Sequence, residues 1–184
     1  MMKKIVIGIV SLATAFTLSG CASDDKKASK HENIEMNHSS MNHSSTGEVP
    51  EGLKIADNPT YEVGSQAILE TDHMEGMNGA EATIVGAYDT TAYTISYTPK
   101  SGGDRVENHK WVIQEEIKDA GDKTLELGTK VIIEAGHMAG MEGATAEIDS
   151  AEPTTVYMVD YTPTSGGEVV KNHKWVTESE LSAK

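Results

Sequence analysis

Hydrophobic and polar positions alternate through much of the chain beyond residue 60, and the alternation breaks at regular intervals. Gln66–Glu70 and Lys130–Glu134 are short runs centred on Ile68 and Ile132. Glu81–Ala87 and Ala146–Ala151, each following a repeated His-Met stretch, are the next strand candidates. Thr91–Tyr97 and Thr155–Tyr161 are rich in Thr, Tyr, Val and Ile, and their tyrosines are four residues apart, hence on one face. Thr98-Pro99-Lys100-Ser101-Gly102-Gly103 and its copy at 162–167 are turn chemistry, because Pro and Gly-Gly close any regular strand. A further strand is expected around Lys110-Trp111-Val112, followed by a short helical turn ending in Glu116-Ile117 or, in the copy, Glu180-Leu181.

The pattern occurs twice. Tyr61–Ile117 aligns with Leu125–Leu181 without a gap, at a constant offset of 64 residues, and about half of the positions are identical. Several short strands in each unit, with turn signals between them, predict an all-β chain of two tandem small SH3-like β-barrels, one over 51–118 and one over 119–184. One such unit has a small core, so packing of the two against each other would add to stability.

Residues before the repeats read differently. Lys3 and Lys4 precede an apolar run, Ile5 to Leu18, too short for a stable membrane span and shaped like a secretory signal over 1–20. The run ends in Leu18-Ser19-Gly20-Cys21, which resembles a bacterial lipobox and predicts lipidation of Cys21, with the product tethered to the outer face of a cell membrane. Cys21 is the only cysteine, which excludes an intramolecular disulfide and a thiolate nucleophile or metal site. Residues 21–50 have almost no aliphatic side chains and read as a disordered tether. Within it Met36-Asn37-His38-Ser39-Ser40 is followed at once by Met41-Asn42-His43-Ser44-Ser45.

The formal net charge is −14, so the chain offers no basic face to neutralise phosphates, and nucleic acid is not expected as a partner. The sequence contains no Gly-rich phosphate loop after a strand, no H-E-x-x-H, no G-x-S-x-G and no Cys–His pair, so a binding protein is expected rather than an enzyme.

Candidate chemistry lies in the repeated His-Met-x-Gly-Met-x-Gly-Ala, at His73–Ala80 and His137–Ala144. Thioether sulfur is a soft neutral ligand and imidazole is borderline, a pairing that favours Cu(I). The glycines would let the backbone curl so that His73, Met74 and Met77 converge, and likewise His137, Met138 and Met141. Methionine also fills irregular gaps in a core, so the same loops can be read as core plugs. The tether favours ligation, because Met36, His38, Met41 and His43 have no core to fill there. Outside the leader, Met158 alone among the methionines falls outside these His–Met stretches. The second twin motif, Asn108–Val112 and Asn172–Val176, reads first as a Trp anchored in a small core, with His109 and His173 as additional candidate ligands.

The doubled H-M-x-G-M-x-G-A, Y-T-P-x-S-G-G and N-H-K-W-V motifs resemble the YdhK/DUF1541 family of Gram-positive lipoproteins, and the likeness covers both repeats. That resemblance implies a surface copper-binding lipoprotein associated with copper tolerance. It would sequester Cu(I) outside the cell or pass it to an exporter or an oxidase. The competing expectation is an SH3-like interaction module that binds a cell-wall polymer or a protein, with its methionines packed inside.

Overall fold

The computed structural model describes residues 44–184. The stretch read as a leader, Cys21, and the residues Met36, His38, Met41 and His43 of the stretch read as a tether lie outside the described residues. The strands are β1 (Lys54–Ile55), β2 (Gln66–Leu69), β3 (Glu81–Tyr97), β4 (Val106–Ile113), β5 (Lys130–Ile132), β6 (Thr145–Tyr161), β7 (Val170–Thr177) and β8 (Leu181–Ala183). Short 3₁₀ turns, Gln114–Glu116 and Glu178–Glu180, follow β4 and β7. Among the described residues the fold is therefore all-β, as the alternation predicts.

Where separate short strands were expected at 81–87 and 91–97, one continuous strand of 17 residues runs from Glu81 to Tyr97. Likewise 146–151 and 155–161 merge into the 17-residue β6. Pro153 does not interrupt β6 because it is exposed and lies between the stretch that pairs with β5 and the stretch that pairs with β7. No outer neighbour there needs the N–H that proline lacks.

β3 and β6 pair antiparallel along almost their whole length, from Ala82↔Tyr161 to Tyr97↔Ala146. Register shifts between Ile84 and Gly86 and between Thr94 and Ile95 add the local bend and twist that bulges give a long ribbon. Around this ribbon the sheet order is β5-β6-β3-β2-β8, with β1 and β4 also on β3 and β7 on β6.

The two cores mix the repeats. One gathers Leu69, Met77 and Ile84 from the first half of repeat one with Tyr157, Val159, Tyr161, Val176 and Leu181 from the second half of repeat two. The other gathers Tyr93, Ile95, Tyr97, Val112 and Ile117 with Val131, Ile133, Met141 and Ile148. Each lobe is thus half of one repeat closed by the complementary half of the other. β2 pairs with β8 in the first lobe, Leu69 opposite Leu181. In the second lobe the matching contact is the bridge Ile117↔Ile133. A third cluster contains both tryptophans, Trp111 and Trp175, with Ala92, Ile113, Val156 and Met158.

Candidate metal site

The His–Met loops are two consecutive tight turns. In the first loop the Met77 N–H donates to the Met74 carbonyl at 3.1 Å, and the Ala80 N–H donates to the Met77 carbonyl at 3.0 Å. The second loop repeats both bonds, Met141 to Met138 at 3.1 Å and Ala144 to Met141 at 2.9 Å. The glycine at the third place of each turn has positive φ, +76° at Gly76 and +77° at Gly140. That geometry is what the Met-x-Gly spacing encodes.

These turns separate the two methionines of each loop. Met77 and Met141 are fully buried, one in each mixed core, so their sulfurs are placed as core fillers. The expected convergence of His73, Met74 and Met77, and of His137, Met138 and Met141, is not the arrangement found. The second turn of each loop carries its later methionine inward, where apolar neighbours complete the packing. Met74 and Met138 are half-buried at the margins of the same cores.

Each loop is held by the proline-glycine turn of the other repeat. The Thr164 N–H donates to the Gly76 carbonyl at 2.8 Å, and the Lys100 N–H donates to the Gly140 carbonyl at 2.9 Å. The contact is close: a Cβ on Gly76 would come within 2.4 Å of Ser165 Oγ, and one on Gly140 within 2.4 Å of Ser101 Oγ.

Two buried glutamates organise the histidines. Glu180 Oε1 lies 2.7 Å from His73 Nε2 and accepts from Thr71 Oγ1 at 3.0 Å and Lys110 Nζ at 3.3 Å. Its Oε2 accepts from Trp111 Nε1 at 2.7 Å and from the Thr177 N–H at 3.2 Å. Glu116 repeats the pattern: Oε1 lies 2.8 Å from His137 Nε2, and Oε2 accepts from Trp175 Nε1 at 3.1 Å and the Ile113 N–H at 3.2 Å. In both cases the glutamate and the histidine come from different repeats. Burial alone would raise the Glu180 carboxyl, but the His73 hydrogen bond and charge, with the Trp111 and Thr177 donors, carry it down to about 2.

Sequence reasoning did not single out these glutamates. Their signal was available, since Glu116 and Glu180 coincide in the two copies, but an acidic residue in a short turn reads as a solvated charge.

His73, Met74, His109, His137, Met138 and His173 all line one cleft of about 1420 Å³. The structure thus brings candidate ligands from both repeats to a single cavity. Ser44 and Ser45, from the end of the stretch read as tether, also line it and bond to the edge of β7, the Ser45 N–H donating to the Lys171 carbonyl at 2.9 Å. His109 is brought there by an irregular pairing of β4 with β3, beside Asn108 in a left-handed conformation with φ of 52°. Burial lowers the His109 imidazole to about 4, with electrostatic contributions from the neighbouring His137 and His73 in the same direction and from Glu116 in the opposite one.

Three ring nitrogens of these cleft-lining histidines, His73 Nδ1, His137 Nδ1 and His109 Nε2, are buried with no hydrogen-bond partner. Buried nitrogens of this kind fit a cation, because an unmet lone pair out of water is costly. Among the described residues, no three His, Cys, Asp or Glu side chains are grouped as a metal site. The half-buried thioethers of Met74 and Met138 line the same cleft as these imidazoles. Asp72 and Glu75, absent from the second loop, are exposed at the rim.

Comparison with known proteins adds the family. The family described as a protein of unknown function, DUF1541, matches residues 63–114 and 127–178, stopping just short of Glu116 and Glu180. The chain is 63% identical over 185 residues to the uncharacterized protein YdhK of Bacillus subtilis strain 168, spanning 99% of this chain and 90% of that protein. Its structure is similar to the crystal structure of a DUF1541 family protein, YdhK, from that bacterium, with a TM-score of 0.77 and 71% identity over 80% of this chain and 100% of the other. The solution NMR structure of the YdhK C-terminal domain is also similar, with a TM-score of 0.64 and 76% identity over 67% and 93% of the two chains. With both repeats matched and the likeness running along nearly the whole sequence, this chain belongs to the DUF1541 family.

Proposed function

We propose that the protein binds copper as Cu(I) in the cleft between its loops, outside the cell and anchored to the membrane through lipid on Cys21. The ligands are drawn from His73, Met74, His137 and Met138, with His109 and His173 as further donors and Met36, His38, Met41 and His43 of the tether as auxiliary ones. Cu(I) is satisfied by two or three soft or borderline ligands, which suits a cleft with imidazole and thioether and no thiolate. Copper is held or passed by ligand exchange to an exporter or an oxidase, without turnover of a substrate.

The observation that supports this reading is that histidines with buried, unpartnered ring nitrogens (His73, His109 and His137) line one cleft together with the half-buried Met74 and Met138. The test is retention of Cu(I) by the purified protein against a chromogenic chelator, with and without residues 22–43. The wild type retains copper, and exchange of both His73 and His137 for Ala releases it. Equal retention by that double variant would sink the cleft site.

A second reading draws support from Met77 and Met141, whose complete burial is what an interaction module with internal methionines requires. It expects no copper uptake and binding to isolated cell-wall material that survives replacement of Met74 and Met138.

A further inference from the structure

The glutamates that hold the cleft histidines do so through one nitrogen only, and every other group on their carboxylates can only donate or is donating. Trp111 Nε1, the Thr177 N–H and the Lys110 ammonium on Glu180 have no acceptor capacity, and neither do Trp175 Nε1 and the Ile113 N–H on Glu116. With the carboxylates so engaged as acceptors, the contacts at 2.7 Å and 2.8 Å require His73 Nε2 and His137 Nε2 to carry the proton. A neutral imidazole protonated at Nε2 presents its lone pair at Nδ1. Those are the two nitrogens left buried and unpartnered beside the cleft.

We propose that Glu116 and Glu180 are positioning residues that fix His73 and His137 in the Nε2–H tautomer, so that each histidine offers Nδ1 to the metal. The inference rests on the copper reading above and deepens it. A carboxylate that receives the far N–H of a ligating histidine sets the ring's orientation and raises its basicity, and losing such a partner typically weakens metal binding by about 10–100-fold. Because Glu180 serves His73 and Glu116 serves His137, each ligand from one repeat is set by a residue of the other. Neither half of the site is complete within its own repeat.

The exchange Glu→Gln tests this with little change in shape. A glutamine oxygen still accepts from Trp Nε1 and the turn N–H, but its NH₂ faces the histidine and favours the Nδ1–H tautomer, which removes the donor from the metal. In the full-length protein, ¹⁵N NMR of labelled histidines should show His73 and His137 protonated at Nε2 before copper is added. On addition of Cu(I), the Nδ1 resonances should move. E116Q and E180Q should each invert the tautomer of the paired histidine and weaken Cu(I) retention by about 10–100-fold. E168Q, at an exposed residue away from the cleft, should leave both unchanged.

Ligation through Nε2, or Gln variants that retain copper as the wild type does, would overturn the proposal. If a Gln variant fails to fold, the wild-type spectra alone decide which nitrogen ligates. A wild type that takes up no copper overturns the copper reading and this one together, whereas copper uptake indifferent to the Gln exchanges overturns only this one.

Discussion

Replacing the inner methionines, Met77 and Met141, should separate packing from ligation within the same loop. Both are fully buried, Met77 in the core with Leu69, Ile84 and Tyr157 and Met141 in the core with Tyr97, Ile95 and Ile133. Truncation to Ala removes most of a buried side chain and leaves a cavity, which costs roughly 2–5 kcal/mol at each site. The two positions sit in different cores, so the costs should add, to roughly 4–10 kcal/mol for the double change. That is comparable to the whole stability of a small domain, about 5–15 kcal/mol, so the double Ala variant should be largely unfolded at modest urea concentrations. Leucine nearly conserves the volume and should cost less than about 1.5 kcal/mol per site. M77L/M141L should therefore stay folded, with its urea midpoint followed by tryptophan fluorescence, and should retain copper like the wild type. M74L/M138L should also stay folded yet lose copper to a chelator at least about tenfold more readily, equivalent to about 1.4 kcal/mol. If M77L/M141L released copper and M74L/M138L did not, the division of the loops into packing and ligand methionines would be wrong.

Three further outcomes follow from the same geometry. G76A and G140A should each destabilise the protein by roughly 2 kcal/mol or more, because the added Cβ meets the Ser165 or Ser101 side chain at 2.4 Å on a backbone of positive φ; a variant with wild-type thermal stability would refute this. Residues 44–118 alone should not form a stable monomer, since each core needs Tyr157–Leu181 or Val131–Ile148 from the other repeat; a cooperatively folded monomer by ultracentrifugation and circular dichroism would contradict the interlaced cores. Stability should fall with acid in two windows, both because the folded protein binds fewer protons than the unfolded chain. His109, near 4 when folded against an ordinary 6.5, contributes a penalty that grows as pH drops from 6.5 to 4. Glu180, near 2 against 4.5, contributes stability that is complete above 4.5 and lost as pH falls towards 2. H109Q should flatten the urea midpoint between pH 6.5 and 4, and parallel profiles would count against a neutral buried His109.

The sequence by itself determined the all-β class, the doubling and most strand positions. Period-two alternation, tyrosines four apart and Pro-Gly turns are local signals, and local signals specify strands and turns wherever they fall. The loop glycines were legible as points where the backbone could curl, but the two tight turns that send Met77 and Met141 inward are seen only in the structure. Tertiary structure decided which partner each strand takes. Because the repeats are identical at about half their positions, the pattern that would close a repeat on itself also fits the exchange of halves. Pattern alone cannot distinguish the two; the continuous β3–β6 ribbon, carried past Pro153, makes the exchange. That choice fixes the rest. It buries Met77 and Met141 against the other repeat's tyrosines, brings Glu180 to His73 and Glu116 to His137, and turns two separate motifs into the walls of one cleft. A glutamate in a three-residue turn carries no sign of such burial, because the groups that satisfy its charge are more than fifty residues away in sequence for Trp111 on Glu180 and Trp175 on Glu116.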